Sequence, residues 1–188
     1  MPIVTVTLKD SPTTPLPDTF VDSEDVWDNW GADEAFEVEE VNIINRFRRI
    51  AFLRFPIEPI PNKADIKTAI LKLKVITNSN PARHYLLKYL LSGWDEAQVI
   101  FATMPGRGDT FLDTVFPGVG LWASLDITQA VKDWYKKLRV NFGIVIMPKE
   151  HGSNHVEFSA KESGDLVAPR IEITYLINPA RKEYIPPR

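Results

Sequence analysis

One stretch restricts the possible folds more than any other part of the chain, namely LWASLDITQAVKDWYKKLRVNFGIVIM at residues 121–147. At its start, Leu121, Ala123 and Leu125 recur at every second position, the period of a strand with one buried face. Apolar residues then recur at steps of four, three and four, which predicts a short α-helix over about 127–138: Ile127, Val131, Trp134 and Leu138. The apolar run at 142–146 predicts a second strand. This helix is the only one that the sequence predicts.

The two ends of this helix carry residues that helix ends favour. Asp126 is the expected N-cap, with Gln129 as its capping-box partner. Four cations gather near the C-terminal end, where the helix dipole favours positive charge: Lys132, Lys136, Lys137 and Arg139. Asn141 and Gly143 then predict the turn that leads into the next strand.

The rest of the chain predicts strands separated by turns. Alternating or β-branched runs indicate strands at 3–8, 18–21, 36–41, 49–57, 66–76, 84–91, 99–102, 155–161 and 169–177. The periodicity of 84–91 also fits a helix, and the strand-rich context favours the strand. Residues 92–119 are predicted to form a long loop that holds only the short strand at 99–102. About ten short antiparallel strands with one short helix in a connection are typical of an all-β, jelly-roll-type β-sandwich.

The composition fits one compact domain without covalent cross-links. The chain has 188 residues, 44% of them hydrophobic, and no cysteine, so neither a disulfide nor a thiolate metal site can form. Its prolines divide it into an N-terminal strand with a proline-rich arm at 1–17, the β-sandwich domain at 18–177, and a proline-rich tail at 178–188.

Charge and apolar runs exclude several classes of partner. A net charge of -3 gives no basic field for nucleic acid, and no apolar run reaches the roughly 20 residues of a membrane span. The N-terminus, MPIVTVTLKD, lacks the basic and apolar regions of a signal peptide. We therefore expect neither nucleic-acid binding nor membrane insertion. The expected location is a virion or another assembled particle, or the extracellular space or cell surface if an export segment was removed.

An acidic segment precedes a basic one. Residues 22–40 contain nine acids and no base, and four arginines follow: Arg46, Arg48, Arg49 and Arg54. This order predicts that the acids pair with the basic strand. The acids at the start of the segment could instead bind calcium, although they lack the spacing of a dedicated calcium loop: Asp22, Glu24, Asp25 and Asp28. Pairing is the favoured interpretation, and we assign no metal ligand.

No histidine or serine arrangement predicts catalysis. The histidines are His84, His151 and His155, and no serine lies in a GxSxG elbow. His151 and His155 are four residues apart, but Gly152 favours a turn over the helix that a shared metal site would need. We therefore predict that the chain is not an enzyme, and we assign no catalytic residue.

The acids at 95 and 96 have a structural interpretation. Adjacent residues of an extended chain point in opposite directions, whereas glycosidase carboxylates converge from separate elements. We expect Trp94 to pack against the fold, and we expect Asp95 and Glu96 to cap turns or to pair with arginines.

Two further features bear on binding. Trp27 and Trp30 could stack on sugar rings or anchor a partner if they are exposed, although packing of at least one of them in the core is favoured. The RGD tripeptide at 107–109 could be read by an integrin, but matches of three residues arise by chance. No binding residue is assigned.

Several landmarks follow one another along the chain: Asp18 to Val21, Arg49 to Phe55, Ile66 to Leu73, Trp94-Asp95-Glu96, Leu125 to Thr128 with Val131 and Trp134, Asn141 to Ile144, Phe158 to Glu162, and Pro169 to Tyr175. Together they resemble the DNRLRE domain family, which is related to disaggregatase repeats and to carbohydrate-binding modules found on polysaccharide lyases. The resemblance spans 18–175 and implies a β-sandwich with a non-catalytic role. One departure is Ile100-Phe101, where a Thr-Trp pair is usual. The resemblance does not carry a binding site over.

Two functions fit a β-sandwich that acts through its surface. The favoured one is a structural component of a multi-subunit particle, such as a virion decoration or tail protein, which would bind other protein subunits through its proline-rich ends. The alternative, implied by the resemblance, is a carbohydrate-binding module in which Arg46, Arg48 and neighbouring lysines contact an acidic polysaccharide. No cofactor is expected apart from the calcium considered above.

Overall fold

The computed structural model describes residues 2–12, 15–41, 47–149 and 152–177. Its strands are β1 (Ile3–Lys9), β2 (Asp18–Asp22), β3 (Ala35–Val41), β4 (Phe47–Leu53), β5 (Ala64–Asn78), β6 (His84–Leu90), β7 (Arg107–Val115), β8 (Trp122–Asp126), β9 (Ile144–Pro148), β10 (Asn154–Ser159) and β11 (Arg170–Ile177). The helical elements within these ranges are α1 (Thr128–Tyr135) and two 3₁₀ turns, Phe101–Thr103 and Lys161–Ser163. The predicted all-β class is confirmed, whereas the predicted tail at 178–188 lies outside the described residues.

The strands pair antiparallel and curl into two layers. The path of hydrogen-bonded neighbours is β1-β11-β5-β10-β3-β4-β9-β6-β7, with β2 paired to β4 and β8 paired to β5. β5 has 15 residues and belongs to both layers, because it pairs with β11 and β8 along most of its length and with β10 at its end. The first layer therefore consists of β8, β5, β11 and β1, and the remaining strands form the second.

The main hydrophobic core lies between the layers. Residues from β5 and β11 of the first layer meet residues from β6 and β9 of the second: Leu71, Leu73, Ile171, Ile173, Tyr85, Leu87, Ile144 and Ile146. Phe158 stacks on Phe36 with 5.2 Å between ring centroids and meets Phe116 edge-on at 4.7 Å. Val131 and Trp134 of α1 belong to the same core, so the helix is held by tertiary packing.

A second, smaller apolar cluster lies on the other face of β4. Ile50 and Phe52 belong to it, and three side chains from the loop after β6 pack against it: Trp94, Phe101 and Met104. Ala51 and Leu53, which alternate with them, belong to the main core. Both faces of β4 are therefore buried, which explains its nearly continuous apolar sequence.

The long loop predicted at 92–119 contains a strand that the sequence analysis missed. β7 pairs with β6 alone and lies at an edge of the second layer. The short strand predicted at 99–102 is wrong, because residues 101–103 form a 3₁₀ turn. None of the nine side chains of β7 is buried, and it contains glycine and aspartate, which are rare in strands. Pairing with β6, rather than a local pattern, makes this segment a strand.

The N-terminal end of α1 differs from the prediction by one residue. Ile127 is the N-cap, and its side chain cannot form a capping hydrogen bond. Asp126 lies one position earlier and accepts a hydrogen bond from the Thr128 backbone N–H at 2.9 Å. Gln129 donates to Asp133 at 2.7 Å instead of closing a capping box.

The C-terminal end of α1 comes earlier than predicted. The helix ends at Tyr135, and Lys137 takes a left-handed backbone conformation with φ of 58°. Leu138 consequently leaves the apolar stripe and is 70% exposed. No helix in the described part of the chain is long and apolar enough to cross a membrane.

Candidate functional site

A groove of about 510 Å³ opens beside the C-terminal end of α1. Its walls come from the segment between β4 and β5 and from the segment between the helix end and β9: Ile57, Glu58, Ile60, Asn62, Trp134, Tyr135, Lys137, Arg139, Val140 and Asn141. We call it the basic groove. Apolar and aromatic side chains combined with a few polar groups are typical of ligand-binding clefts.

Two side chains connect the walls of the basic groove. The Tyr135 hydroxyl donates a hydrogen bond to the Pro61 carbonyl at 2.7 Å and accepts one from the Ala64 N–H at 2.8 Å. Asn141 donates to the Phe55 carbonyl at 2.8 Å. Segments that are distant in sequence are thus held in one geometry, as a preformed binding site requires.

We expect Tyr135→Phe to lower the free energy of unfolding by about 1 kcal/mol, because it removes both hydrogen bonds of the hydroxyl. Urea denaturation measures the change. Tyr85→Phe is the matched control, since the buried Tyr85 hydroxyl has no hydrogen-bond partner among the described residues and its removal should leave stability unchanged or higher. Equal losses in both variants would contradict the proposed connection.

Two lysines beside the groove have an uncommon backbone conformation. Within the described residues, the non-glycine residues with positive φ are Lys63, at 70°, and Lys137, at 58°. The left-handed region costs a residue with a Cβ about 1–2 kcal/mol, which glycine avoids. Lys137 lines the groove, and Lys63 directly follows Asn62, which also lines it. Because strained residues cluster at functional sites, both lysines are candidates for a binding role.

Two lysines at the basic groove carry positive charge that no described residue pairs with. Lys63 and Lys137 are exposed, and neither ammonium group has a hydrogen-bond or ion-pair partner among the described residues. Arg139 lies 4.4 Å from the ring centroid of Tyr89 and pairs with the exposed Asp109. An exposed pair of this kind contributes little and can exchange for another anion. Against these cations the groove lining has one acid, at position 58.

The outer face of the first layer is also basic, but its cations are engaged. Arg170 lies 4.1 Å from the ring centroid of Trp122, and Lys74 lies 5.8 Å from it. Lys72 donates a hydrogen bond to the Ser124 hydroxyl at 2.8 Å. The basic groove is the stronger candidate because it combines a concave shape with lysines that have no partner in the part of the chain that the structure describes.

The acidic segment pairs with the basic strand, as predicted. Arg49 contacts three carboxylates, at 2.8, 2.5 and 3.2 Å: Asp22, Glu37 and Glu39. Arg48 pairs at 2.7 Å with Glu40, which is buried. Arg48 therefore acts inside the protein, and we do not retain it as a polysaccharide contact. Arg46 lies outside the described residues.

The four acids considered for calcium have different environments. Asp22 is fully buried against Arg49, whereas the other three are exposed: Glu24, Asp25 and Asp28. They do not appear among the acidic clusters of metal-binding type in the described residues. Calcium binding stays a prediction that no observation here tests.

Two clusters of metal-binding type do occur within the described ranges, at Glu37, Glu39 and His155 and at Asp18, Glu96 and Glu162. Arg49 contacts the first cluster, and the ammonium group of Lys161 lies within the second. A hydrogen bond with Glu37 raises the pKa of His155. Since a cationic side chain already compensates the carboxylates in both clusters, we assign no metal to either. His151, the other histidine of the pair considered above, lies outside the described residues.

The residues at 94–96 are structural, as expected. Trp94 packs on Phe52 with 5.8 Å between ring centroids. Asp95 caps a turn by accepting a hydrogen bond from the Ala97 N–H at 2.9 Å. Glu96 pairs with Lys161 rather than with an arginine.

The two tryptophans of the acidic segment have different roles. Trp30 stacks on Phe20 at 5.2 Å and packs against the core, whereas Trp27 is 74% exposed. Asp25 and Asp28 flank Trp27, so its surroundings repel an anionic ligand. The RGD tripeptide begins β7, and its aspartate pairs with Arg139.

Comparison with known protein families decides the class of this protein. Residues 9–175 match the model of carbohydrate-binding module family 96. The chain belongs to this family. It matches none of the curated proteins with which it was compared.

Membership of family 96 agrees with the carbohydrate-binding-module part of the sequence resemblance, while the DNRLRE assignment itself stays a prediction. A family of binding modules also agrees with a non-catalytic role for this domain. The match supports the carbohydrate-binding alternative better than the particle component that the sequence analysis favoured.

Sequence reasoning did not find the basic groove. It named Lys137 and Arg139 only as cations that favour a helix end, and it did not name Lys63 or Tyr135. The available signal was a lysine just beyond the helix end, a position at which glycine is common. The unusual position of this lysine can be recognised only when the residue at which the helix ends is known.

Proposed function

We propose that this family 96 module binds an acidic polysaccharide in the basic groove. The observation that supports this proposal is a pair of lysines, Lys63 and Lys137, that have left-handed backbone conformations and no partner among the described residues. Lys137 lines the groove, and Lys63 follows the lining residue Asn62. A chain that needed only a turn at these positions would be more stable with glycine. We therefore attribute the presence of lysine rather than glycine at both positions to its positive charge.

Each wall of the groove has a role in this proposal. Lys63 and Lys137 attract carboxylates of the polymer, and Arg139 exchanges Asp109 for a ligand carboxylate. The half-buried Tyr135 ring offers an apolar surface to a sugar ring, and the Asn62 amide can donate to and accept from hydroxyl groups. Attraction between exposed charges is screened by salt, so affinity should fall as ionic strength rises.

The test is the double variant Lys63→Gly, Lys137→Gly in affinity electrophoresis through gels containing alginate or polygalacturonate. We expect the apparent Kd for the polymer to rise about tenfold, equivalent to about 1.4 kcal/mol over two exposed charge contacts. Thermal denaturation should show unchanged or higher stability, because glycine relieves the left-handed strain and its greater freedom in the unfolded state offsets part of that gain. Opposite effects on binding and on stability would separate a binding role from a structural one.

Two control variants accompany the test. Lys88→Gln removes a positive charge from the outer face of β6, and Trp27→Ala removes the exposed tryptophan of the acidic segment; both should bind the polymer as the wild type does. Neutral dextran in the gel should retard none of the proteins. Failure of the wild type to bind any acidic polymer, or equal weakening by Lys88→Gln, would refute the proposal.

The particle interpretation remains a second, untested prediction. No contact among the described residues favours it, and the family match does not show partner subunits. Location in a virion or outside the cell is likewise untested.

A further inference from the structure

A second, smaller pocket of about 280 Å³ shares no lining residue with the basic groove. Its lining combines the proline-rich arm with side chains from the end of β4, the loop after β6 and the 3₁₀ turn after β10: Pro15, Leu16, Pro17, Arg54, Trp94, Asp95, Glu96 and Lys161. We call it the Arg54 pocket. Its volume is at the lower end of the range for small-molecule sites, so it suits a single sugar ring rather than a chain.

Two of the four charged residues that line the Arg54 pocket, Lys161 and Glu96, form an ion pair. Lys161 contacts Glu96, and Glu96 also accepts a hydrogen bond from the Asp18 N–H at 2.8 Å. Asp95 accepts a hydrogen bond from a backbone N–H of its own turn. These groups are committed to the fold.

Arg54 is the cation of this lining that has no carboxylate partner among the described residues. Its backbone N–H donates to the Pro17 carbonyl at 3.0 Å, which fixes the residue against the proline-rich arm. Arg54 is half-buried as a residue. Its guanidinium lies 5.8 Å from the ring centroid of Trp94 and has no carboxylate partner among the described residues. A partly buried cation without an anion is unfavourable unless a ligand supplies one.

Trp94 is held rigidly beside Arg54. Its indole N–H donates to the Phe142 carbonyl at 2.8 Å, and its ring packs on Phe52. Prolines at 15 and 17 restrict the opposite wall, because their φ angles are fixed. The pocket thus presents a planar guanidinium with free N–H groups next to a fixed aromatic ring.

We propose that the Arg54 pocket binds the carboxylate of a single acidic sugar, with the guanidinium paired to the carboxylate and the pyranose ring against Trp94 and Pro15. Arginine matches a carboxylate with two parallel hydrogen bonds, which a neutral sugar cannot accept in the same way. The ligand class rests on the proposed function, because such a sugar is the end residue of an acidic polysaccharide. The site itself is separate from the basic groove and can be tested alone.

The test uses galacturonate as the probe and the indole N–H signals of the full chain as the readout in ¹H–¹⁵N spectra, with the Trp94 signal identified by its loss in Trp94→Phe. We expect galacturonate to shift the Trp94 signal of the wild type in a saturable way. Arg54→Gln should weaken this response at least tenfold, and Arg54→Lys should weaken it less. Galactose, which lacks the carboxylate, should leave the signal unchanged.

The experiments distinguish failure of the basic-groove proposal from failure of the Arg54-pocket proposal. If the double variant Lys63→Gly, Lys137→Gly loses polymer affinity but keeps the Trp94 response, both sites stand. A Trp94 response in a protein that binds no acidic polymer supports the Arg54 pocket and refutes the groove. An unchanged Trp94 signal at saturating galacturonate, an equal response in Arg54→Gln, or an equal response to galactose would overturn the Arg54 pocket, whatever the polymer result.

Discussion

Replacing Lys161 by methionine should lower the free energy of unfolding by about 3–5 kcal/mol, the usual cost of removing one partner from a buried ion pair. The ammonium group of Lys161 is surrounded by three carboxylates, those of Asp18, Glu96 and Glu162. The Lys161 side chain is 17% exposed, and the side chain of its partner Glu96 is 22% exposed. Methionine keeps the length of the side chain, so the loss reports the charge rather than a cavity.

The effect should be large because the cluster joins three parts of the fold. Asp18 opens β2, Glu96 lies in the loop that covers the second apolar cluster, and Lys161 opens a 3₁₀ turn after β10. The Lys161 backbone N–H also donates to the Asp18 carboxylate at 3.0 Å. Without the ammonium group, the carboxylates of Glu96 and Glu162 would face each other within 4.8 Å in a poorly hydrated space.

Chemical denaturation of wild type and variant measures the loss. Lys67→Met is the matched control, because Lys67 pairs with Asp65 on the surface, where both side chains are about half exposed. Surface pairs of this kind contribute little, so the control should unfold close to the wild type. A Lys161→Met variant that unfolds at the same denaturant concentration as Lys67→Met would contradict the stabilising role of the cluster.

The stability of the wild type should fall as the pH rises from about 4 to about 8, and Asp18→Asn should remove much of this dependence. Burial raises the pKa of Asp18 from 3.8 to about 8, and Lys161 opposes the shift only in part. The Asp18 side chain is fully buried, and its Oδ1 atom lies 3.6 Å from the Lys161 ammonium group, beyond hydrogen-bond distance.

The direction follows from proton linkage. Between the two pKa values, the folded carboxyl holds a proton that the unfolded carboxyl has released, so each pH unit lowers the free energy of unfolding by up to about 1.4 kcal/mol. Below about pH 4 both states are protonated, and above about pH 8 both are ionised, so the contribution is constant there. The raised pKa of His155 acts in the same direction above its unfolded value, which is why the comparison with Asp18→Asn is needed.

Urea denaturation of both proteins at intervals between pH 4 and pH 9 tests this prediction. The difference in unfolding free energy between Asp18→Asn and wild type should increase in favour of the variant as the pH rises. Parallel curves for the two proteins would show that the folded Asp18 is ionised throughout the range. The Lys161 cluster would then hold three charged carboxylates, contrary to this assignment.

Sequence patterns were sufficient wherever one local signal dominated. The alternation of Leu71 and Leu73 in β5 marked a strand with one buried face, and both residues are buried. The change of charge between the acidic segment and Arg49 predicted ion pairs that the structure contains. Sequence patterns did not predict the edge strand β7 or the exact ends of the helix. The side chains of β7 are at most half-buried, and its strand conformation depends on pairing with β6.

The sequence by itself determined the all-β class, the approximate positions of most strands and the presence of one helix, because burial on one face leaves a period that can be read along the chain. Only the tertiary structure decided where the helix stops, and with it that Leu138 is exposed and that Lys137 reaches the groove. It also decided which cations lack partners among the described residues, since Arg48 is paired there while Lys63 and Arg54 are not. The physical reason is that ligand sites are made by contacts between distant segments, and such contacts leave no periodic trace in the sequence.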